Sequence, residues 1–243
     1  NNADELIVFD LSTDATSHEA SLDMLKIICK EAQIPVIGAG NVRRMEDIKK
    51  LLYAGCMKAA LNYSKESNIA ITEEVSLKFG KDKIVACVMD DSDITGNEAV
   101  LEEFVHSVIL LNERTIKQAV SLSRRPLIVS LPEVSLDKII ELLSCENIEG
   151  ITGPAVNANA RELMDIKDLC AGNGVAVRTF EPVVKWDELK KNSDGLVPVI
   201  VQDYKTREVL MMAYMNEEAY LSTLKSGRMT YYSRSRACQW LNG

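Results

Sequence analysis

Two arginines alternate with two serines beside a pair of tyrosines in the stretch YYSRSR, residues 231–236. A guanidinium presents a planar fork of N–H donors that matches the oxygens of a phosphate, and a serine hydroxyl adds a further donor. Side chains two residues apart on a β-strand point to the same face, so the pattern predicts both arginines on one face and both serines on the other. The stretch therefore favours binding of a small phosphorylated ligand. A solvated edge strand, whose arginines prevent aggregation, is the alternative.

Composition restricts the ligand that these residues could hold. The 243-residue chain has a formal net charge of -8 at pH 7, which argues against a nucleic-acid partner and requires a local cluster of donors for any phosphate. No apolar run approaches the roughly 18 residues that a membrane span needs. We therefore expect a cytoplasmic protein with a small-molecule ligand and no membrane partner.

The cysteines and histidines show no metal-ligating pattern. Six cysteines and two histidines lie far apart along the chain, and no C-x-x-C pair occurs. This spacing predicts reduced, mostly buried thiols, with no disulfide framework, metal site or cofactor within this chain. The two histidines, His18 and His106, lack partners nearby in the sequence, and we expect them to have surface or packing roles.

Short apolar runs alternate with amphipathic segments throughout residues 1–181. The runs are rich in β-branched residues, and the segments between them carry leucine and isoleucine at helical spacing. Near-continuous apolar strands joined by helices indicate an α/β fold with a parallel sheet, and about eight such units favour a (β/α)8-type barrel. The predicted strands lie within residues 5–11, 34–40, 57–63, 83–89, 107–112, 126–132, 148–154 and 175–181.

The pattern changes near residue 182, where a second domain is predicted over residues 182–243. Apolar and polar residues alternate over residues 196–215 and break at the turn-like QDYKTRE, which indicates a β-hairpin. A short helix is predicted at 216–227 and a further strand at 228–236. We expect a small, β-rich α+β module behind a barrel domain of residues 1–181.

The second domain resembles the N-terminal part of phosphoribosyl-AMP cyclohydrolase, a histidine-biosynthesis enzyme that hydrolyses the N1–C6 bond of the adenine ring. The matching stretches are DGLVPVIVQD at 194–203, VLMMAYMNEEA at 209–219 and SGRMTYYSRSRACQW at 226–240. The resemblance implies a phosphoribosyl nucleotide as the ligand of the arginine stretch, with a tryptophan that stacks on the purine or covers the site. The substrate-binding residues that it implies are Tyr232, Ser233, Arg234, Ser235, Arg236 and Trp240.

The same resemblance implies that a complete enzyme needs more than this sequence. In the cyclohydrolase family, an aspartate-rich magnesium motif and zinc-binding cysteines follow this stretch, and the zinc site is usually formed across a dimer. No such segments follow Gly243, so we expect the chain to be the front part of a longer, zinc- and magnesium-dependent polypeptide and inactive alone. The resemblance also implies a homodimer through this module, and in many bacteria a fused phosphoribosyl-ATP pyrophosphohydrolase.

The first domain resembles the cyclase subunit of imidazole glycerol phosphate synthase, a (β/α)8 barrel of the same pathway. The resemblance rests on NADELIVFDL at residues 2–11 and on IPVIGAGNVRRMEDIKKLLYAGCMKAALNYS at residues 34–64. It implies that Asp10 and Asn62 lie at carboxyl ends of strands, where barrels do chemistry. It also implies a phosphate-binding loop that contains Gly38, Gly40 and Asn41.

Departures from the cyclase pattern predict a barrel without catalytic activity. The first strand of that family, with one catalytic aspartate, has no counterpart here, and Met89 stands in place of the other; Asp90 could replace it only through a one-residue slip. The second phosphate loop has become Leu131-Pro132-Glu133, in which proline lacks an N–H donor and glutamate repels phosphate. Two alternatives remain, an active ribosyl-phosphate cyclase or isomerase and a non-enzymatic scaffold or dimerisation module.

Overall fold

The computed structural model describes residues 2–178 and 182–241, which pack into two compact units. The first unit comprises Asn2–Ala160 and Leu169–Ala176, and the second comprises Arg161–Asp168 and the described part of Val177–Gly243. The chain passes from one unit to the other within a helix, Leu163–Gly172. The domain boundary predicted between residues 181 and 182 falls at the edge of a segment outside the described residues and stays a prediction.

The first unit contains a parallel sheet of seven strands that curls into a half-barrel. The strands pair in chain order, each with the next. Because neighbouring strands are parallel, each connection must cross back along the sheet, and helices form these connections. This architecture confirms the predicted α/β barrel class. The strands are β1 Leu6–Phe9, β2 Val36–Ala39, β3 Lys58–Asn62, β4 Ile84–Val88, β5 Ser107–Leu110, β6 Leu127–Ser130 and β7 Ile148–Thr152.

Helices connect these strands and cover the outer face of the sheet. Each predicted amphipathic segment between two strands contains at least one helix, as the leucine and isoleucine spacing indicates. The helices are α1 Ala15–Glu31, α2 Met45–Tyr53, α3 Glu66–Phe79, α4 Asp91–Gly96, α5 Glu98–Phe104, α6 Ile116–Leu122, α7 Leu136–Leu143, α8 Pro154–Ala158 and α9 Leu163–Gly172. No helix within residues 2–178 and 182–241 is long and apolar enough to cross a bilayer.

The central strands are buried on both faces, which explains their continuous apolar sequences. Every residue of β4 is buried, and Ile37, Val85 and Ile109 from three different strands meet in one apolar cluster inside the curl. Burial of this kind contributes about 25 cal/mol for each Å² of apolar surface removed from water. The core of the sheet therefore holds the carboxyl ends of the strands, and the loops that follow them, in fixed positions.

The eighth predicted strand, at residues 175–181, is not a strand over the part that the structure describes. Val175–Arg178 is irregular, and residues 179–181 lie outside the described residues. In the described chain β1 and β7 each pair with one neighbour only, and Leu6 and Phe9 on β1 are 37% and 45% exposed. Apolar content alone does not specify a strand: Val175 is buried here, whereas Ala176 and Arg178 are exposed.

The second unit contains two antiparallel strand pairs and one helix. β8 Val197–Gln202 pairs with β9 Val209–Met215, α10 spans Glu217–Ser226, and β10 Thr230–Ser233 pairs with β11 Cys238–Leu241. The side chain of Asn216 caps α10 by accepting from the amide of Ala219 at 2.9 Å, and Gly227 ends the helix in the left-handed conformation. The hairpin and the helix confirm the sequence predictions.

The strands of the β8–β9 hairpin bury alternate residues, as their sequence pattern predicts. Ala213 and Met215 on the inner face pack with Ala219 of α10 and Tyr231 of β10 in a small apolar core. On the outer face Ile200 opposes Met212, and these side chains are 72% and 57% exposed. The hairpin therefore presents an apolar surface away from its own core.

Candidate functional site

The arginine stretch forms a hairpin turn, and its strand ends at Ser233. Ser233 pairs with Cys238 in the ladder between β10 and β11, so the intervening residues reverse the chain, with Ala237 at a φ of 49°. The Ser233 hydroxyl accepts from the Arg236 amide at 3.4 Å and lies 3.4 Å from the hydroxyl oxygen of Ser235. The prediction of one strand through residue 236 is therefore wrong. The chain reverses after Ser233 so that β11 can pair with β10, and the Ser233 hydroxyl favours a turn. We call residues 233–237 the arginine turn.

The guanidinium of Arg234 stacks on an aromatic ring of the neighbouring hairpin. Its central carbon lies 4.0 Å from the centroid of the Tyr214 ring, a cation–π contact. Tyr214 follows Ala213 on β9 and so faces the opposite side from the core. A stacked guanidinium keeps its in-plane N–H donors available, so this contact fixes the fork without using its hydrogen-bonding edge. No local sequence pattern indicates a role for Tyr214, because its contact with Arg234 depends on how β9 and β10 pack.

The other predicted substrate residues lie on different faces of the β10–β11 pair. Tyr231 opposes Trp240, and their ring centroids are 4.8 Å apart, whereas Tyr232 opposes Gln239. Because alternate residues point to opposite sides, Tyr232 and Trp240 do not share a face. The indole of Trp240 packs on Tyr231 and is 38% exposed. The structure thus brings both serines and Arg236 together in the arginine turn and places Arg234 on Tyr214, while the binding role of all six residues stays a prediction.

A broad depression in the second unit lies against the amino-terminal end of α10. Its volume is about 630 Å³, and Glu217 and Glu218 lie on its wall beside Trp186. None of the predicted substrate residues lines it. Two carboxylates disfavour a phosphate by charge repulsion, so the arginine turn fits an anionic ligand better than this depression does.

Asp10 follows β1 and is the centre of a hydrogen-bonded cluster at the carboxyl ends of β1 and β2. Its side chain is 8% exposed, and it accepts from the amide and the hydroxyl of Ser12 at 2.9 and 2.6 Å. The Nδ1 atom of His18 lies 2.5 Å from its other carboxylate oxygen. Burial raises the pKa of Asp10, but the hydrogen bonds from Ser12, His18 and Asn41 outweigh burial and hold the pKa well below its ordinary value.

The contact between His18 and Asp10 corrects the expectation that this histidine lacks a partner. Asp14 caps α1 by accepting from the amide of Ser17 at 3.0 Å, so the helix begins at Ala15 and His18 lies in its first turn. Helical side chains point back toward the amino terminus, which directs this imidazole to the end of β1. An aspartate at a strand end and a histidine in the first turn of the next helix are the signal that sequence inspection missed.

The loop after β2 packs tightly on the Asp10 peptide. Gly40 has a φ of 89°, and a Cβ atom there would lie 2.1 Å from the carbonyl oxygen of Asp10. Asn41 follows at a φ of 51°, and its side-chain amide donates to the carbonyl oxygen and the hydroxyl of Ser12 at 2.9 and 2.7 Å. Gly38, by contrast, lies inside β2, where a Cβ atom would be 2.8 Å from the Cys56 sulfur. Phosphate binding by this loop stays a prediction.

The remaining barrel candidates lie where their strands end. Asn62 is the last residue of β3, is exposed, and accepts from the amide of Ser64 at 2.9 Å. Met89 follows β4 and is 50% exposed. Asp90 caps α4 and accepts from the amide of Ser92 at 3.0 Å, and these hydrogen bonds lower the pKa of its carboxyl. Asp10, Gly40 and Asn62 therefore share the carboxyl end of the sheet, and their catalytic or binding roles stay predictions.

Asp10→Asn should lower the free energy of unfolding at pH 7 by about 1.5–3 kcal/mol, because the replacement loses charge-assisted hydrogen bonds. The folded state holds the pKa of Asp10 below its ordinary value of 3.8, so the wild-type advantage is present above pH 4 and is lost as the pH falls below it. Urea denaturation at several pH values measures this difference. Asp23→Asn is the matched control, since Asp23 makes a surface contact with Lys26; equal losses in both variants would contradict the account.

Each of the two units contains a stretch that matches a family of histidine-biosynthesis proteins. Residues 1–117 match the family model of histidine biosynthesis proteins. Residues 211–243 match phosphoribosyl-AMP cyclohydrolase. The two matches confirm the resemblances drawn from the sequence, and the second covers β9, α10 and the arginine turn.

Curated relatives align with the C-terminal part of the chain. A phosphoribosyl-AMP cyclohydrolase of a Nocardioides species is 51% identical over 65 residues, 27% of this chain and 52% of that protein. The enzyme of the same name from Mycobacterium bovis is 54% identical over 65 residues, 27% of this chain and 56% of that protein. The histidine biosynthesis bifunctional protein HisIE of Aquifex aeolicus is 57% identical over 56 residues, 23% of this chain and 27% of its own length. The chain thus spans about half of the length of the curated cyclohydrolases that it matches.

Proposed function

We propose that the parent protein of this chain hydrolyses phosphoribosyl-AMP, opening its adenine ring, and that the arginine turn binds the substrate phosphate. The cation–π contact between Arg234 and Tyr214 supports this proposal, since it holds a guanidinium fork in place at a turn whose Ser233 and Ser235 hydroxyls lie 3.4 Å apart. A fork fixed in advance loses less conformational entropy when a phosphate binds. With a net charge of -8, the ligand is a small nucleotide and not a nucleic acid.

We propose that the zinc and magnesium of the hydrolytic centre bind outside the described residues. Within residues 2–178 and 182–241, no three histidine, cysteine, aspartate or glutamate side chains are placed to hold a metal ion. We propose that the described residues of the second unit bind and orient the substrate. We also propose that the parent protein is cytoplasmic.

We propose that the barrel does not catalyse a cyclase reaction. Met89 cannot transfer a proton, and the neighbouring Asp90 is already used as the cap of α4. One observation favours the alternative of an active barrel, because Asp10 and His18 form an acid–base pair at the catalytic end of the sheet. A non-enzymatic barrel, which would act as a scaffold for the cyclohydrolase module, agrees with the methionine at position 89 and with the use of Asp90 as a helix cap.

Incubation of the purified chain with the ribosyl-phosphate substrate of the cyclase family and ammonia separates these alternatives. We expect no cyclised product above the background of a sample without protein. Turnover that disappears in Asp10→Asn would overturn the non-catalytic assignment and show that the pair of Asp10 and His18 is a working acid–base centre. A folded Asp10→Asn sample, judged by circular dichroism, is the necessary control.

We propose a homodimer through the outer face of the β8–β9 hairpin. Ile200, Leu210 and Met212 are 72%, 61% and 57% exposed on this face, and Tyr214 with its stacked Arg234 continues it. Apolar residues grouped in this way mark interaction surfaces. A second copy laid on this face would cover Tyr214 and bring two arginine turns close to one interface.

Ile200→Glu should convert a dimer of the chain into a monomer, because it buries a charge in the proposed interface. Light scattering or sedimentation gives the mass directly. Leu221→Glu, at a half-exposed position on α10 of the same unit and not on the hairpin, is the control and should leave the mass unchanged. A wild-type chain that is monomeric at concentrations of about 100 μM would contradict the proposal.

A further inference from the structure

Two cysteines that are far apart in sequence lie side by side in the first unit. The sulfur atoms of Cys29, near the end of α1, and Cys56, just before β3, are 3.8 Å apart. Cys29 is half-buried and Cys56 is 6% exposed, and both are free thiols. A disulfide requires the sulfurs to approach to about 2.05 Å, so the two sulfurs lie within about 2 Å of bonding distance.

The surrounding chain is built so that these two sulfurs meet. Gly55 has a φ of 107°, and a Cβ atom there would lie 2.9 Å from the Cβ of Cys29. The loop can therefore approach α1 closely enough to place Cys56 against Cys29. On its other side the Cys56 sulfur lies where a Cβ atom on Gly38 would be 2.8 Å away, so it has little freedom to turn from its partner.

The helix that carries Cys29 is packed loosely on the sheet. Within α1, Leu22 and Leu25 are buried, whereas Met24 and Ile27 are 58% and 57% exposed. A cavity of about 170 Å³, lined by Leu22, Leu25 and residues of β1 such as Phe9, lies between the helix and the sheet. A covalent link at the end of α1 would therefore restrain an element that few buried contacts hold.

We propose that Cys29 and Cys56 form a reversible disulfide when the protein meets a hydroperoxide. The Cys29 sulfur, the more exposed of the two, attacks the peroxide, so that an S–O bond forms, the O–O bond breaks and water leaves. The Cys56 sulfur then attacks the Cys29 sulfur; the S–S bond forms, the S–O bond breaks, and the hydroxide that leaves takes the Cys56 proton as water. Two thiols are oxidised by two electrons and one hydrogen peroxide is reduced to two waters. A dithiol reverses the reaction by exchange.

Burial explains why Cys56 acts as the second partner. Burial, and then the neighbouring Cys29, raise the pKa of the Cys56 thiol to about 12, which keeps it protonated and unreactive toward peroxide in solution. It reacts only when the neighbouring sulfur has been oxidised. The link would close a segment that includes β2 and α2 and fasten α1 to the entrance of β3.

The test uses the chain with Cys145→Ser and Cys238→Ser, which removes one half-buried and one exposed thiol elsewhere. After treatment with hydrogen peroxide, peptide mapping should find Cys29 linked to Cys56 as the main product, and dithiothreitol should restore both thiols. The melting temperature should rise by about 5 °C on oxidation. Slower amide exchange in α1 should accompany the rise.

Two variants distinguish the proposed link from general oxidation. In Cys29→Ser, and separately in Cys56→Ala, peroxide should leave the melting temperature within about 1 °C of the reduced value. Recovery of Cys56 as a free thiol beside a sulfinic acid at Cys29 would overturn the proposal. A linked product with no change in melting temperature or α1 exchange would refute the claim that the link restrains the helix.

Discussion

Gly40→Ala should destabilise the first unit by roughly 3 kcal/mol or more. Two costs combine at this position. The backbone φ of 89° is unfavourable for any residue with a Cβ atom, and that atom would lie 2.1 Å from the Asp10 carbonyl oxygen, which is backbone and cannot rotate away. Relief of the clash requires the loops after β1 and β2 to separate. That movement would also disturb the hydrogen bonds from Asn41 to Ser12.

Gly96→Ala provides a matched control for the same substitution. Gly96 ends α4, and a Cβ atom there would have no neighbour within 4 Å. Alanine should be neutral or stabilising by up to about 1 kcal/mol, since glycine weakens helices. Urea denaturation of both variants gives the comparison. Equal stabilities would show that the close approach of Gly40 to Asp10 does not exist in solution.

Alanine in place of Arg234 or Arg236 should weaken phosphoribosyl-AMP binding to the parent protein by roughly 1.5–3 kcal/mol each, or about 10- to 150-fold. Each guanidinium would provide charge-assisted hydrogen bonds to the phosphate. Arg234→Lys should restore only part of the affinity, because an ammonium cannot reproduce a bidentate fork and stacks less well on Tyr214. Tyr214→Leu should also weaken binding, since it removes the ring that fixes the Arg234 fork.

Isothermal titration of the parent with phosphoribosyl-AMP measures these changes. Arg207→Asn is the control, since Arg207 is an exposed arginine of the same unit in the β8–β9 turn. Its φ of 66° is one that asparagine tolerates, so the variant removes a charge without backbone strain. Unchanged affinity in both alanine variants would make the arginine turn an ordinary surface turn.

The sheet could be predicted because each strand carries its own signal. Runs such as those in β4 and β5 are apolar without interruption, and only burial on both faces favours that composition. The hairpin of β8 and β9 was equally clear, since its residues alternate and its turn is polar. The run at 175–181 has no such distinction, because an irregular segment after a helix can also carry apolar residues, of which Val175 is buried here.

The details of the candidate sites depend on partners that sequence does not reveal. Tyr214 meets Arg234 through the packing of two strands, and His18 meets Asp10 through the angle at which α1 begins. The alternation of residues in the arginine turn favours a strand, whereas its partner strand β11 has only four residues and so gives a weak sequence signal. Local pattern fixed the elements, and long-range contacts fixed how their side chains meet.

Hydrolysis of phosphoribosyl-AMP by the parent protein, with zinc and magnesium supplied, is the decisive measurement. We expect the wild type to form the ring-opened product, and we expect kcat/KM to fall by at least about 100-fold when Arg234 and Arg236 are both changed to alanine. No hydrolysis by a folded wild-type parent, or an unchanged kcat/KM in the double variant, would contradict it.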